Sequence, residues 1–177
     1  MHPSDVVSTK VLTMQLASSG SPSYTRTARN KTPVLYEGRE NEIEIGKGIV
    51  LQEGSDVAII ACGVMVSESL EAAASLAAEG INATVVDMHT LKPLDGALVD
   101  QLVANCGAIV TAEDHNIIGG LGGAVAEHLT ANTIAPLERV GVQDRFGESG
   151  QAGEMLEVMQ ISAPYIAEAA KRAIARK

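Results

Sequence analysis

The chain has 177 residues, 46% of them hydrophobic, and a formal charge of −9; that leaves room for one domain plus a short annex and rules out a disordered chain. Only 2% of the residues are aromatic, with no Trp and one Phe, so the core must come from Val, Ile, Leu and Ala, as in a parallel sheet covered by helices. The acidity is spread along the chain with no basic stripe, which argues against a nucleic-acid groove, and no apolar run approaches the ~20 residues of a membrane span.

Residues 1–36 stand apart. Asp5 and scattered polar residues exclude a secretory signal peptide, and a cytoplasmic location is the default. A helix is expected near 4–17, followed by Ser18-Ser-Gly-Ser-Pro-Ser23 and extended stretches at Tyr24-Thr-Arg-Thr27 and Pro33-Val-Leu-Tyr36. One helix with one or two strands cannot bury a core alone, so this segment reads as the tail of a preceding domain, and the chain as a fragment or truncated subunit.

Residues 43–49 alternate apolar with polar or Gly and predict a half-buried strand. Asp56 to Cys62 predicts a fully buried strand. Val66, Leu70, Ala73, Ala74 and Ala77 then follow at helical spacing, stopped by Gly80. Ile81 to Met88 is a β-branched strand; Pro93 and Asp95 open a helix with the stripe Leu98, Val99, Leu102 and Val103. Ala108 to Thr111 gives another strand, and its helix carries Leu121, Ala124, Val125, His128 and Leu129 on one face. Residues 137–142 form the last strand. A short helix near 153–160 precedes a terminal one that Ser162 can cap, with the stripe Ile166, Ala169, Ala170, Ala173 and Ile174. The alternation predicts an α/β fold, a mostly parallel sheet with helices on both faces. The link between 43–49 and the next strand is too short for a crossover, so one strand should be antiparallel.

Several residue groups could carry chemistry. Gly119-Gly-Leu-Gly-Gly123 lies where a phosphate loop would be, yet Val125 replaces the last glycine of the dinucleotide fingerprint and no Lys-Ser/Thr follows. Glycines permitting close helix-to-sheet approach explain it better. Asp87, His89, Glu113, Asp114 and His115 fall at strand carboxyl ends, the edge where open α/β sheets bind ligands. No metal-ligand spacing links them, so local hydrogen bonding is the expectation, and His128 reads as a packed or partner-facing histidine. Arg26, Arg29 and Lys31 form the only compact basic cluster; a guanidinium fork suits a phosphate monoester, although charges around a turn are usually solvated. Phe146, in Asp144-Arg-Phe-Gly-Glu-Ser-Gly150, suits an interface. Cys62 and Cys106 are expected to be reduced, buried thiols.

Leu91-Lys-Pro-Leu-Asp95, Ala112-Glu-Asp-His-Asn-Ile-Ile-Gly-Gly-Leu-Gly122 with its following Gly123, and Asp144–Gly150 together resemble the C-terminal part of transketolase, especially the form split into two polypeptides. The resemblance covers roughly residues 24–177. It implies a three-layer α/β/α domain with a five-stranded mixed sheet over 37–177, and residues 1–36 as the remnant of the preceding pyrimidine-binding domain and linker. It also implies thiamine diphosphate with Mg or Ca, bound between two other domains across a dimer interface, and transfer of a two-carbon ketol unit between sugar phosphates. Neither the Gly-Asp-Gly diphosphate motif nor the activating glutamate has a counterpart here. The chain is therefore expected to bind no cofactor alone, to be inactive alone, and to need an N-terminal transketolase subunit or the missing domains, within a homo-oligomer. Arg29 matches the family arginine that grips the sugar phosphate; Thr25–Asn30 is less apolar than the family strand. The alternatives are a stand-alone oligomerisation or regulatory module, a flavodoxin-like nucleotide binder, or the equivalent domain of deoxyxylulose-phosphate synthase or a 2-oxoacid dehydrogenase β subunit.

Overall fold

The computed structural model describes residues 1–177. Its sheet has five strands: β1 (Ile49–Gln52), β2 (Val57–Ala61), β3 (Ala83–Asp87), β4 (Ile109–Asn116) and β5 (Leu137–Val142), in the order β1-β3-β2-β4-β5. All pairs are parallel except β1 with β3. The short link after β1 forces this: β1 cannot lie parallel beside β2, so it turns back and pairs antiparallel with β3 instead.

Helices α2 (Met65–Ala78) and α6 (Ala163–Ile174) cover one face; α3 (Gly96–Cys106) and α4 (Leu121–Asn132) cover the other. Strand pleating divides the core between them. Val57, Ile59 and Ala61 of β2 face the α2/α6 layer, and Ala58, Ile60 and Cys62 face the α3/α4 layer. The two remaining α-helices are α1 (Val6–Ser19) and the short α5 (Ala152–Val158), and a single 3-10 turn spans Glu40–Glu42.

Three expectations from the sequence are corrected. The strand predicted over 43–49 starts only at Ile49; Ile43 instead buries with Leu12, Tyr36 and Ile49 in a small separate cluster, so its alternation reflects that packing. Residues 24–27 and 33–36 form no strands within this chain. The buried face of α2 is Met65, Val66, Ser69, Ala72, Ala73 and Leu76, while Ala74 and Ala77 are exposed. In addition, Ser162 occupies the N-cap of α6 without a side-chain cap bond; the Ala163 amide donates to Glu68 Oε2 at 2.8 Å instead.

Residues 1–45 lie along one end of this domain. Asp5 caps α1 by accepting from the Ser8 amide at 2.7 Å, and its other oxygen accepts from the Leu35 and Tyr36 amides at 2.8 and 3.1 Å. Gln15 bridges to Ile43 and Ile45. One carboxylate and one amide thus fasten helix to loop, beside the small apolar cluster of Leu12, Tyr36 and Ile43.

Candidate functional site

The strand order reverses between β2 and β4, because β2 leads to β3 on one side and β4 to β5 on the other. The crevice beyond the carboxyl ends of those strands is where such sheets bind ligands. Here the chain's own N-terminal segment occupies it. The His2 amide donates to His89 O at 2.8 Å, and the Gly63 amide donates to His2 O at 3.1 Å. Gly63 has φ +59, and a Cβ there would overlap the His2 ring, so only glycine admits this contact.

Each polar residue at this edge has a local use. Glu113, buried within β4, accepts from the Leu121 and Gly122 amides at 2.8 Å each. It neutralises the positive end of α4, the place a phosphate would take. Burial raises its pKa, and those two amides oppose the rise. A Cβ on Gly120 would overlap the Glu113 carboxylate, and one on Gly122 would crowd Arg139 and Thr111. The glycine loop is thus a close-packing device.

Asp87 Oδ2 accepts from the Ser4 hydroxyl at 2.6 Å and the Tyr36 hydroxyl at 2.9 Å; Oδ1 is buried without a partner. Burial lifts its pKa from 3.8 to about 7, against the pull of the two hydroxyls. His89 is buried beside Thr90, Nδ1 to Oγ1 2.9 Å, with burial lowering its pKa to about 4. His115 lies at the exposed end of β4. No group of three His, Cys, Asp or Glu side chains is placed to hold a metal ion.

Asp114 takes the Arg26 guanidinium: Nη2 pairs with Oδ1, and Nη1 donates to the Asp114 carbonyl at 3.1 Å. Burial raises the Asp114 pKa and Arg26 opposes it. Arg26 also donates to His2 Nδ1 at 3.0 Å. Burial, then the Arg26 charge, lower the His2 pKa to about 3, so His2 is neutral and accepts at Nδ1. Around them lies a cavity of about 690 Å³, lined among others by His2, Arg26, Cys62, Lys92, Glu113 and His115. Cys62 and Cys106 are free and buried; burial pushes the Cys62 thiol well up, which leaves it protonated and a poor nucleophile.

Arg29 stands apart from this knot. It is exposed, joins none of the chain's ion pairs, and lines a second groove of about 570 Å³ with Lys31, Glu68, Asp114 and Met155. The basic cluster is therefore divided, with Arg26 inside an ion pair and Arg29 and Lys31 outside one. Sequence reasoning missed His2, Ser4 and the Arg26–Asp114 pair, for no periodicity or spacing links residues so far apart. His128 bridges α4 to Asp100 of α3 at 2.8 Å, so it packs within the chain. Phe146 is 96% exposed. No helix is long and apolar enough to cross a membrane.

Residues 46–166 match the family described as "Transketolase, C-terminal domain". The chain is 41% identical over 99% of its length to a 6-deoxy-6-sulfo-D-fructose transketolase subunit from Clostridium sp., covering 54% of that protein. It is 41% identical over 94% of its length to a putative transketolase C-terminal section from Methanocaldococcus jannaschii, covering 52% of it. A 1-deoxy-D-xylulose-5-phosphate synthase from Chlorobium luteolum is 43% identical over 73% of this chain, which covers 21% of that enzyme. Among solved structures, a split-gene transketolase described as an inactive beta4 tetramer superposes with a TM-score of 0.94 at 42% identity, over 98% of this chain and 56% of that one. Transketolase from Pichia stipitis, at 22% identity and a TM-score of 0.77, shares the fold. The chain thus spans about half the length of the transketolase relatives it matches most fully. It belongs to the transketolase C-terminal domain family.

Proposed function

We propose that the chain is the C-terminal section of a thiamine-diphosphate-dependent transketolase, working in the cytoplasm by completing an assembly that moves a two-carbon ketol unit between sugar phosphates. The observation that carries this reading is the match to the split-gene transketolase over 98% of the chain. A likeness confined to the shared domain would have stopped short of the N-terminal 45 residues. Residues 1–36 are then the end of the middle domain and 37–177 the C-terminal domain. Thiamine diphosphate and its Mg or Ca belong to segments on a partner polypeptide, the chain alone binds no cofactor and is inactive, and the working form is a homo-oligomer of the complete unit. Arg29, exposed and free of any ion pair, supplies the clamp for the sugar phosphate.

The test mixes the purified chain with a polypeptide carrying the diphosphate-binding domain and the front of the middle domain. Ketol transfer between sugar phosphates should appear in the mixture only. The match to 1-deoxy-D-xylulose-5-phosphate synthase over 73% of the chain supports a second reading, and formation of 1-deoxy-D-xylulose 5-phosphate in place of ketol transfer would select it.

A further inference from the structure

Residues 27–34 make no hydrogen bond through main chain or side chain; the anchors on either side are Arg26 and the Leu35 and Tyr36 amides on Asp5. Arg29 is three residues from the first anchor and six from the second. The Arg26 anchor has three parts: its amide donates to Met1 O at 3.0 Å, its guanidinium grips both a side-chain and a main-chain oxygen of Asp114, and neutral His2 accepts from it. Asp114 belongs to β4, just past the last pairings of that strand with β2 and β5 at Ala112 and before its next pairing with β5 at Asn116, and it lines the groove that holds Arg29. We propose that Asp114 is a positioning residue, which by holding Arg26 sets where the 26–33 segment, and with it the Arg29 guanidinium, lies over the carboxyl edge of the sheet. The inference rests on the reading of Arg29 as the phosphate clamp for its kinetic consequence, but not for its structural one.

The pairing does two things. It spends the Arg26 charge on Asp114, so that Arg29 and Lys31 are left to meet an anion. It also fixes the chain just ahead of Arg29, which reduces the ordering cost when a phosphate binds. A two-pronged guanidinium on a fixed carboxylate and carbonyl defines direction as well as distance, which an ammonium could not.

Two readouts test this. First, a nitroxide on Thr27→Cys in the full chain, with the buried Cys62 and Cys106 left unlabelled, reports segment mobility by electron paramagnetic resonance. Asp114→Asn should sharpen the spectrum, Arg26→Lys should do so in part, and the exchange Arg26→Asp with Asp114→Arg should restore the broad one. Second, in the complete enzyme, Asp114→Asn should raise KM for a phosphorylated acceptor roughly tenfold with kcat and the KM of an unphosphorylated analogue unchanged. If Asp114→Asn does not fold, Arg26→Lys carries both measurements. An unchanged line shape in both variants overturns the proposal, as does an equal loss for both acceptors. A loosened segment with normal KM, in an enzyme where Arg29→Ala also has normal KM, sinks the Arg29 reading and leaves the Asp114 anchor standing.

Discussion

Three side chains at the carboxyl edge separate structural from ligand-binding roles. Glu113 satisfies two amides at the start of α4. Glu113→Ala should leave both unpaired in a buried place and cost about 1–3 kcal/mol of unfolding free energy for the lost acceptor, read from urea denaturation; a change within error would show that water replaces the carboxylate freely. Asp87 gives a pH signature. Its pKa is about 7 in the folded chain against an ordinary 3.8, so between those values the folded state keeps a proton that the unfolded state has lost. Stability from this group therefore falls as pH rises from about 4 to about 7 and is level above that. Asp87→Asn should flatten that stretch of the profile, measured by thermal unfolding at pH 5 and pH 8; parallel profiles for the two proteins would contradict it. Arg29→Ala in the complete enzyme should weaken phosphorylated substrates by about 1.5–3 kcal/mol and spare unphosphorylated ones. Two of these three residues looked alike in the sequence, since an acid at a strand end can be a ligand or a cap. Only the amides of Leu121 and Gly122, and the hydroxyls of Ser4 and Tyr36, decide between the two.

At the scale of elements, helix starts provide the sharpest check. Ser162 has the right residue type for a cap of α6, but its Oγ is buried without a partner and Glu68 from α2 serves the Ala163 amide. Ser162→Ala should change stability by less than about 0.5 kcal/mol, whereas Glu68→Ala should cost about 1–2 kcal/mol, both from chemical denaturation; the reverse order would restore Ser162 as the cap. Strands β2 and β3 were legible because each is a short apolar or β-branched run with turn residues at its ends. The first strand was misplaced because Ile43 and Ile45 alternate with polar neighbours while packing against α1, and period alone does not say which surface a side chain meets. Residues 24–27 and 33–36 have strand composition, and no neighbouring strand of this chain pairs with them; pairing is not a property of a segment.

For the molecule as a whole, the described core divides unevenly. The two layers over the sheet hold 21 and 12 buried apolar residues, while α1 and its loop share a cluster of 4. Val6, Met14, Tyr24 and Val34 in that N-terminal part are 67, 64, 76 and 52% exposed. The family was legible in three motifs spread along the fold, and the shape of the sheet followed from short loops and crossover rules. What could not be read from the chain was that its most catalytic-looking edge is filled by its own His2 and Arg26. The most direct measurement is calorimetric titration of thiamine diphosphate with Mg into the purified chain, and into its mixture with a polypeptide bearing the diphosphate-binding domain. Binding in the mixture with no heat from the chain alone is the expected result; tight binding by the chain alone would contradict its reading as a section whose active centre is completed elsewhere.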